Sequence, residues 1–363
     1  MVCLCFVLGL LTHREVSSAA KVVTPHVLTN SSKSDYNKET ITDFNSDGDE
    51  LLTLKVPQNG AVRIRLAAEK NGFFIAEIYK KSDASDLPHF MKTDCTTDLW
   101  TTGFMMEYFD KGTYYIRLPK GKYKLGLVEY PCQNLTVTNG TTTAGYCDYE
   151  HGCTYTFKAP GNGSITFSNV ALENTDGSMT AVLCNAKGKA LTESSVFNQT
   201  QYNKISYAVK KGATYKLKVK ALNVNDTQYY SLQLKYTAIA EKSGSSKKKA
   251  VLVKFGNKVS GTVCAEDAKS KADWYMIKNT KKQELLLNYS GNITSGNIIL
   301  DVYDAKGKKL DSYSVIANIS DASDDILHNG NKGTQMPAGT YYIRVTKSGK
   351  TASGSYSFSL AGK

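Results

Sequence analysis

The sequence predicts an all-β protein, a tandem array of three antiparallel β-sandwich (jelly-roll-like) domains after a signal peptide. Three observations carry this. The chain has 363 residues, 41% hydrophobic and 21% charged, with 23 Tyr and few long Ala/Glu/Leu runs, a composition that leans towards strands. A strand–turn–strand landmark occurs three times. Leu54-Lys55-Val56-Pro57-Gln58-Asn59-Gly60-Ala61-Val62-Arg63-Ile64 matches Phe157-Lys158-Ala159-Pro160-Gly161-Asn162-Gly163-Ser164-Ile165-Thr166-Phe167. The stretch Ile277-Lys278-Asn279-Thr280-Lys281-Lys282-Gln283-Glu284-Leu285 keeps the pattern without the Pro and Gly. A second landmark then follows each first one: Gly112-Thr113-Tyr114-Tyr115-Ile116-Arg117, Gly212-Ala213-Thr214-Tyr215-Lys216-Leu217-Lys218 and Gly339-Thr340-Tyr341-Tyr342-Ile343-Arg344. Their glycines lie 57, 54 and 61 residues after Lys55, Lys158 and Lys278, so each copy is one structural unit.

Taken in order, Val2–Leu11 is an apolar run too short to span a bilayer, and Ser18-Ala19-Ala20 offers a cleavage site. Residues 1–20 therefore read as a secretory signal peptide. The basic residue expected before the run is absent, as a start placed too late would produce. Residues 21–130 and 131–240 form the first and second sandwiches. In each first landmark, alternation marks the two strands, and Pro followed by Asn-Gly supplies the backbone angles of the turn. Lys242-Ser-Gly-Ser-Ser-Lys-Lys-Lys249 reads as a flexible linker over residues 241–250, which makes the third sandwich, 251–363, separable. Each unit closes on an alternating strand: Tyr123/Leu125/Leu127, Tyr230/Leu232/Leu234 and Tyr356/Phe358/Leu360.

The third unit resembles the bacterial pre-peptidase C-terminal domain. The residues that carry the likeness are Asp273-Trp274-Tyr275, Leu285–Leu287, Asp301-Val302-Tyr303-Asp304 with Gly307, Ala338–Val345 and Tyr356–Leu360. It covers residues 251–361, and the upstream units are diverged copies. The resemblance implies an extracellular, non-catalytic module that assists secretion, folding or attachment of a neighbour. The sequence contains no protease part, so such assistance would act in trans or concern a larger reading frame.

Export turns attention to the thiols left after cleavage: Cys95, Cys132, Cys147, Cys153, Cys184 and Cys264. Cys147 and Cys153 form the nearest local pair, across Asp-Tyr-Glu-His-Gly, and are the candidate disulfide; the sequence cannot choose among the remaining pairings. No Cys-x-x-Cys is present for a zinc site.

Signatures of catalysis are lacking. His13, His26, His89, His151 and His328 are isolated, and no metalloprotease, nucleophile-elbow or phosphate-loop motif occurs. The chain reads as non-enzymatic. The candidate cofactor is calcium. Asp43, Asn45, Asp47 and Asp49, with Gly48, have the opening spacing of a calcium loop. The twelfth position is Leu54 rather than Glu, which excludes an EF-hand, and an ordinary solvated turn is the simpler reading. Asp321, Asp324 and Asp325 form a second acidic cluster.

The formal charge of +12 is spread along all units, and Lys247-Lys248-Lys249 is the longest basic run, so nucleic acid is not the expected partner. Basic faces on an exported protein favour cell-wall polymer. Trp100 and Trp274 are candidate surface aromatics for stacking on sugar rings, although aromatics in alternating strands more often pack in cores. The expected function is a secreted or cell-surface binding, adhesion or accessory array. A carbohydrate-binding module array and a trans-acting accessory or inhibitor of a secreted protease are the alternatives. Its partner would be cell-wall polymer, glycan or extracellular protein, and no transmembrane segment is expected in the mature chain.

Overall fold

A computed structural model describes residues 22–27, 40–48, 51–98, 103–132, 134–171, 177–197, 204–316, 322–325 and 335–363. The signal-peptide reading lies outside the described residues. The three predicted units are three β-sandwiches of one design, each a five-stranded layer facing a four-stranded layer.

In the first, β1 (Val22–Val27), β3 (Leu51–Val56), β8 (Gly112–Arg117), β5 (Gly72–Tyr79) and β6 (His89–Cys95) lie side by side in that order. The opposing layer is β2 (Thr40–Ser46), β9 (Gly121–Pro131), β4 (Gly60–Ala68) and β7 (Phe104–Phe109). In the second sandwich the five-stranded order is β10 (Asn134–Thr136), β12 (Cys153–Lys158), β17 (Thr214–Ala221), β14 (Met179–Asn185) and β15 (Ser195–Phe197). Its four-stranded order is β11 (Thr142–Cys147), β18 (Gln228–Ala238), β13 (Gly163–Ala171) and β16 (Lys204–Val209).

The third sandwich repeats this plan with two pairs of strands fused. β22 (Leu285–Tyr303) and β25 (Gly339–Gly362) run through both layers. One layer is β19 (Val251–Val253), β21 (Asp273–Asn279), the start of β25, the end of β22 and β23 (Lys309–Val315). The other joins β20 (Val259–Val263) to the end of β25, and the start of β22 to β24 (Ala322–Asp325). The crossing point is a bend, with register shifts between Ile293 and Asn297. Gly296 sits there at φ +63°, where an added Cβ would lie 2.7 Å from Ala352 Cα.

Period-two alternation places the cores. On β12, Cys153, Tyr155 and Phe157 point inward, and on β21 Asp273, Tyr275, Ile277 and Asn279 do so. The third core gathers Tyr275, Ile277, Leu285, Leu287, Ile343 and Phe358. Buried tyrosines need partners for their hydroxyls. Tyr155 and Tyr230 meet oxygen to oxygen at 2.8 Å, and Tyr275 and Tyr356 do the same at 2.8 Å, across the two layers of their sandwiches. The first unit has Leu52 at the matching place, so Tyr123 turns its hydroxyl to Pro119 O at 2.8 Å. The tyrosine of the second landmark closes a corner. Tyr114 and Tyr341 each donate to the carbonyl four residues earlier, Asp110 and Pro337, at 2.9 Å.

The chain falls into two compact units, one built mainly from Val62–Glu129 and the other from Tyr130–Lys363. The second and third sandwiches thus share one unit. Its physical reason is an edge strand. β16 ends its sheet, and its outward backbone N–H groups need acceptors. Thr294 Oγ1 accepts from Ser206 N–H at 2.7 Å, and buried Ser353 Oγ accepts from Ala208 N–H at 3.0 Å. Lys210 pairs with Asp267 at 2.8 Å across the same junction.

The expected linker is also held down. Gly244 and Trp274 exchange backbone hydrogen bonds at 3.0 and 2.8 Å. Residues Lys247–Lys249 form a 3-10 turn, and Lys247 Nζ donates to Ala305 O at 2.8 Å. Glu241 accepts from Thr262 N–H at 3.1 Å. A polar, small-residue composition marks solubility, and here it is compatible with tight backbone docking.

Candidate functional site

Registers on the five-stranded layer of the third sandwich bring a polar and aromatic set to its outer face. Trp274 on β21 and Asp301 on β22 both lie opposite Arg344 on β25, and Tyr303 lies opposite Tyr342. Their neighbours in sequence, Tyr275, Val302 and Ile343, point into the core, so alternation sends these five outward. Trp274 and Tyr303 meet at 5.7 Å between ring centroids, and Arg344 sits 5.9 Å from the Trp274 ring. Lys247 lies 4.7 Å above the Tyr342 ring. Asp301 is buried at the base, accepting from Ser312 Oγ at 2.8 Å, from Tyr303 at 3.4 Å and ion-paired with Lys309. The aromatic rings remain half-buried and reachable from solvent.

The first sandwich carries the same set. Glu77 lies opposite Arg117, and Tyr79 opposite Tyr115. Tyr79 donates to Glu77 Oε2 at 2.8 Å, while Arg117 Nη1 reaches Glu77 at 3.3 Å and the Tyr79 oxygen at 3.2 Å. Burial and then the Glu77 hydrogen bond push the Tyr79 phenol up to about 12. An acid, two tyrosines and an arginine therefore occupy matching places in the first and third units. The position of Trp274 is Leu51 in the first unit, fully buried, so no aromatic platform forms there. In the second unit the matching register holds Val182, Cys184, Lys216 and Lys218, which keeps charge and loses the rings.

Trp274 is half-buried on β21, next in sequence to the buried Tyr275. Trp100 lies outside the described residues. The repeated quartet was not singled out from sequence. The signal for it was present, since Glu77-x-Tyr79 and Asp301-x-Tyr303 precede the two Tyr-Tyr-Ile-Arg strands at similar distances.

The predicted calcium residues line a different place. Asp43 and Asn45 are exposed on β2, opposite Lys124 and Lys122, and they border a cleft of about 570 Å³ with Glu69 and Asp98. Lys122 pairs with Glu69 at 3.3 Å. Because β2 is extended, Asp43 and Asn45 are spaced along a strand and countered by lysines rather than wrapped around one point. Asp47 follows in a turn where Ser46 Oγ accepts from Gly48 N–H at 3.1 Å. Asp49 and Asp321 lie outside the described residues, and Asp324 and Asp325 pair by backbone with Leu287 and Leu286. Among the described residues, no three His, Cys, Asp or Glu side chains are placed to hold a metal.

The predicted disulfide residues Cys147 and Cys153 are both buried, at the end of β11 and the start of β12, and the Cys153 thiol donates to Tyr146 O at 3.0 Å. The turn between them is organised by Asp148, which accepts from Tyr146 at 2.6 Å and contacts His151 Nδ1 at 2.8 Å. Burial works against the Asp148 charge, but the Tyr146 and His151 hydrogen bonds outweigh it and lower the carboxyl.

One buried acid also escaped sequence reading. Glu129 on β9 is fully enclosed. Desolvation pushes its carboxyl up to about 7, with neighbouring Gln58 acting in the opposite direction.

The fold and outer-face set define a tandem array of β-sandwich modules. No family model matches the chain, and no curated protein matches it significantly. Solved structures with partial likeness include the pre-peptidase C-terminal domain of a Bacillus anthracis collagenase, 12% identical over 34% of this chain and 100% of that one, at TM-score 0.24. A tandem CBM22 pair from Paenibacillus barcinonensis Xyn10C is 9% identical over 61% of this chain and 86% of that one, at 0.22. Tandem CBM51 modules of a Streptococcus pneumoniae family 98 glycoside hydrolase are 11% identical over 70% and 84%, at 0.21. Among the described residues, no helix is long and apolar enough to cross a membrane.

Proposed function

We propose that the chain is a secreted or cell-surface, non-catalytic binding array, and that the outer face of its third sandwich binds a carbohydrate chain. The observation that carries this is the solvent-facing platform of Trp274 and Tyr303 beside Arg344. Sugar rings present apolar C–H faces that stack on aromatic rings and hydroxyls that seek charged or amide partners. Arg344 and Tyr342 supply donors at the edge of the rings, and Lys247 adds positive charge, which favours an acidic glycan or cell-wall polymer. The buried Asp301 fixes the arrangement from below, held by Lys309 and Ser312.

The test is binding of the full chain to a glycan array and to purified wall polysaccharides. Trp274→Ala should weaken binding by about 10-fold or more, as loss of one stacking contact of ~1.4 kcal/mol requires. A flat response across all glycans, or binding that Trp274→Ala leaves untouched, would remove this reading and favour a protein partner.

A further inference from the structure

We infer that the outer face of the third sandwich selects a sugar with a carboxylate on its ring, a hexuronate, and that Arg344 is the residue that recognises the carboxylate. The inference rests on the carbohydrate reading above and names the class of sugar. Arg344 and Arg117 stand at matching places, each opposite an acid on the next strand, Asp301 for Arg344 and Glu77 for Arg117. Their charges are used differently. Arg117 Nη1 reaches Glu77 Oε2 at 3.3 Å and the Tyr79 oxygen at 3.2 Å, so its guanidinium is countered within its own sheet. Arg344 makes no hydrogen bond or ion pair among the described residues. It stands beside the Trp274 ring instead, 5.9 Å from the centroid.

The strand beyond the acid explains the difference. Opposite Glu77 on β6 is Phe90, which offers the acid no donor, so Arg117 supplies one. Opposite Asp301 on β23 is Ser312, whose Oγ donates to Asp301 Oδ1 at 2.8 Å. Lys309 adds an ion pair to that oxygen, and Tyr303 donates to Oδ2 at 3.4 Å. Asp301 is therefore buried with both oxygens occupied, without Arg344. On the other side, Leu51 lies opposite Arg117 and Trp274 opposite Arg344. The third unit thus turns its arginine from an acid to a ring and leaves a half-buried cation with no counter-ion beside the stacking platform. Lys247 is not equivalent, because its ammonium is tied to Ala305 O at 2.8 Å and Asp304 O at 3.3 Å. A guanidinium in this position calls for an oxyanion, since its fork of N–H donors matches a carboxylate in two parallel hydrogen bonds. A hexuronate brings both requirements together: an apolar C–H face for Trp274 and a carboxylate fixed directly to the edge of the stacked ring. A sulfate or phosphate ester hangs from an additional oxygen and stands further from that edge. The first sandwich, with Arg117 closed on Glu77, does not share the preference.

The test measures binding of the full chain, at fixed ionic strength, to polygalacturonate, alginate and hyaluronate, and to each polymer after its carboxyls are reduced to alcohols. At least one polyuronate should bind about 10-fold or more tightly than its reduced form, as one charge-assisted pair supplies. Arg344→Gln should bring that ratio close to one. Arg344→Lys should leave it in between, because the charge stays and the fork is lost. Lys309→Met should also lower the ratio, since Asp301 then draws Arg344 to itself as Glu77 holds Arg117. Lys282→Gln, which removes one exposed charge from the turn before β22, should leave the ratio unchanged. Equal binding of the charged and reduced polymers, still dependent on Trp274, would overturn the inference and leave the carbohydrate reading standing. So would an equal loss in Arg344→Gln and Lys282→Gln, which marks the preference as a diffuse effect of the +12 charge. Tighter binding to dextran sulfate than to any polyuronate, lost in Arg344→Gln, would overturn the carboxylate assignment. Binding to no glycan at all would remove both readings.

Discussion

Replacing Glu129 by Gln isolates the effect of one buried acid on the first sandwich. The side chain is fully enclosed, and its carboxyl is raised from 4.5 to about 7 by desolvation. Each pKa unit is ~1.36 kcal/mol, so the difference between folded and unfolded states corresponds to roughly 3 kcal/mol. The sign follows from proton binding. Between pH 4.5 and 7 the unfolded chain has released this proton while the folded chain keeps it. Stability contributed by the protonated acid is complete below pH 4.5, falls through that window and levels off above pH 7. Glu129→Gln keeps the shape but has no proton to lose. Urea unfolding of both proteins from pH 4 to 8, followed by amide exchange on β9 peptides, reads the difference directly. The native chain should lose roughly 3 kcal/mol relative to Glu129→Gln across the window. Parallel profiles, or a native chain that gains stability with rising pH relative to the variant, would refute the reasoning.

Two further substitutions probe packing. Gly163→Ala would place a Cβ 2.1 Å from Thr237 O on the neighbouring strand β18, where only backbone could yield. It should cost about 2 kcal/mol or more, seen as a lower urea midpoint of the second sandwich. Ser353→Ala removes the buried acceptor of Ala208 N–H. A loss of ~1–3 kcal/mol is expected, together with earlier exchange of β16 amides; unchanged protection of Ala208 would show that the hydroxyl is dispensable.

The three-unit plan was legible because strand alternation, Pro and Gly turns and the Gly-x-Tyr corner are local signals that recur at near-constant spacing. What alternation cannot tell is which of two faces is covered. Trp274 and Tyr275 are neighbours on one strand, and only the opposing layer decides that Tyr275 is buried and Trp274 half-buried. The union of the second and third sandwiches was hidden for another reason. It depends on Thr294 and Ser353, hydroxyl residues whose role appears once a bend brings them to the bare edge of β16. The stretch Ser290-Gly291-Asn292-Ile293-Thr294-Ser295-Gly296-Asn297 folds as the bend of one continuous strand.

The fused strands of the third sandwich have a consequence for how that domain comes apart. In the second sandwich, β13 and β14 are separate strands, as are β17 and β18, so one layer can open while the other persists. In the third, β22 and β25 belong to both layers at once, and losing either layer frees two of the strands that build the other. Opening is then all-or-none. Under native conditions the slowest amides of the third sandwich should form a single protection class spanning both layers, while those of the second divide between its two sheets.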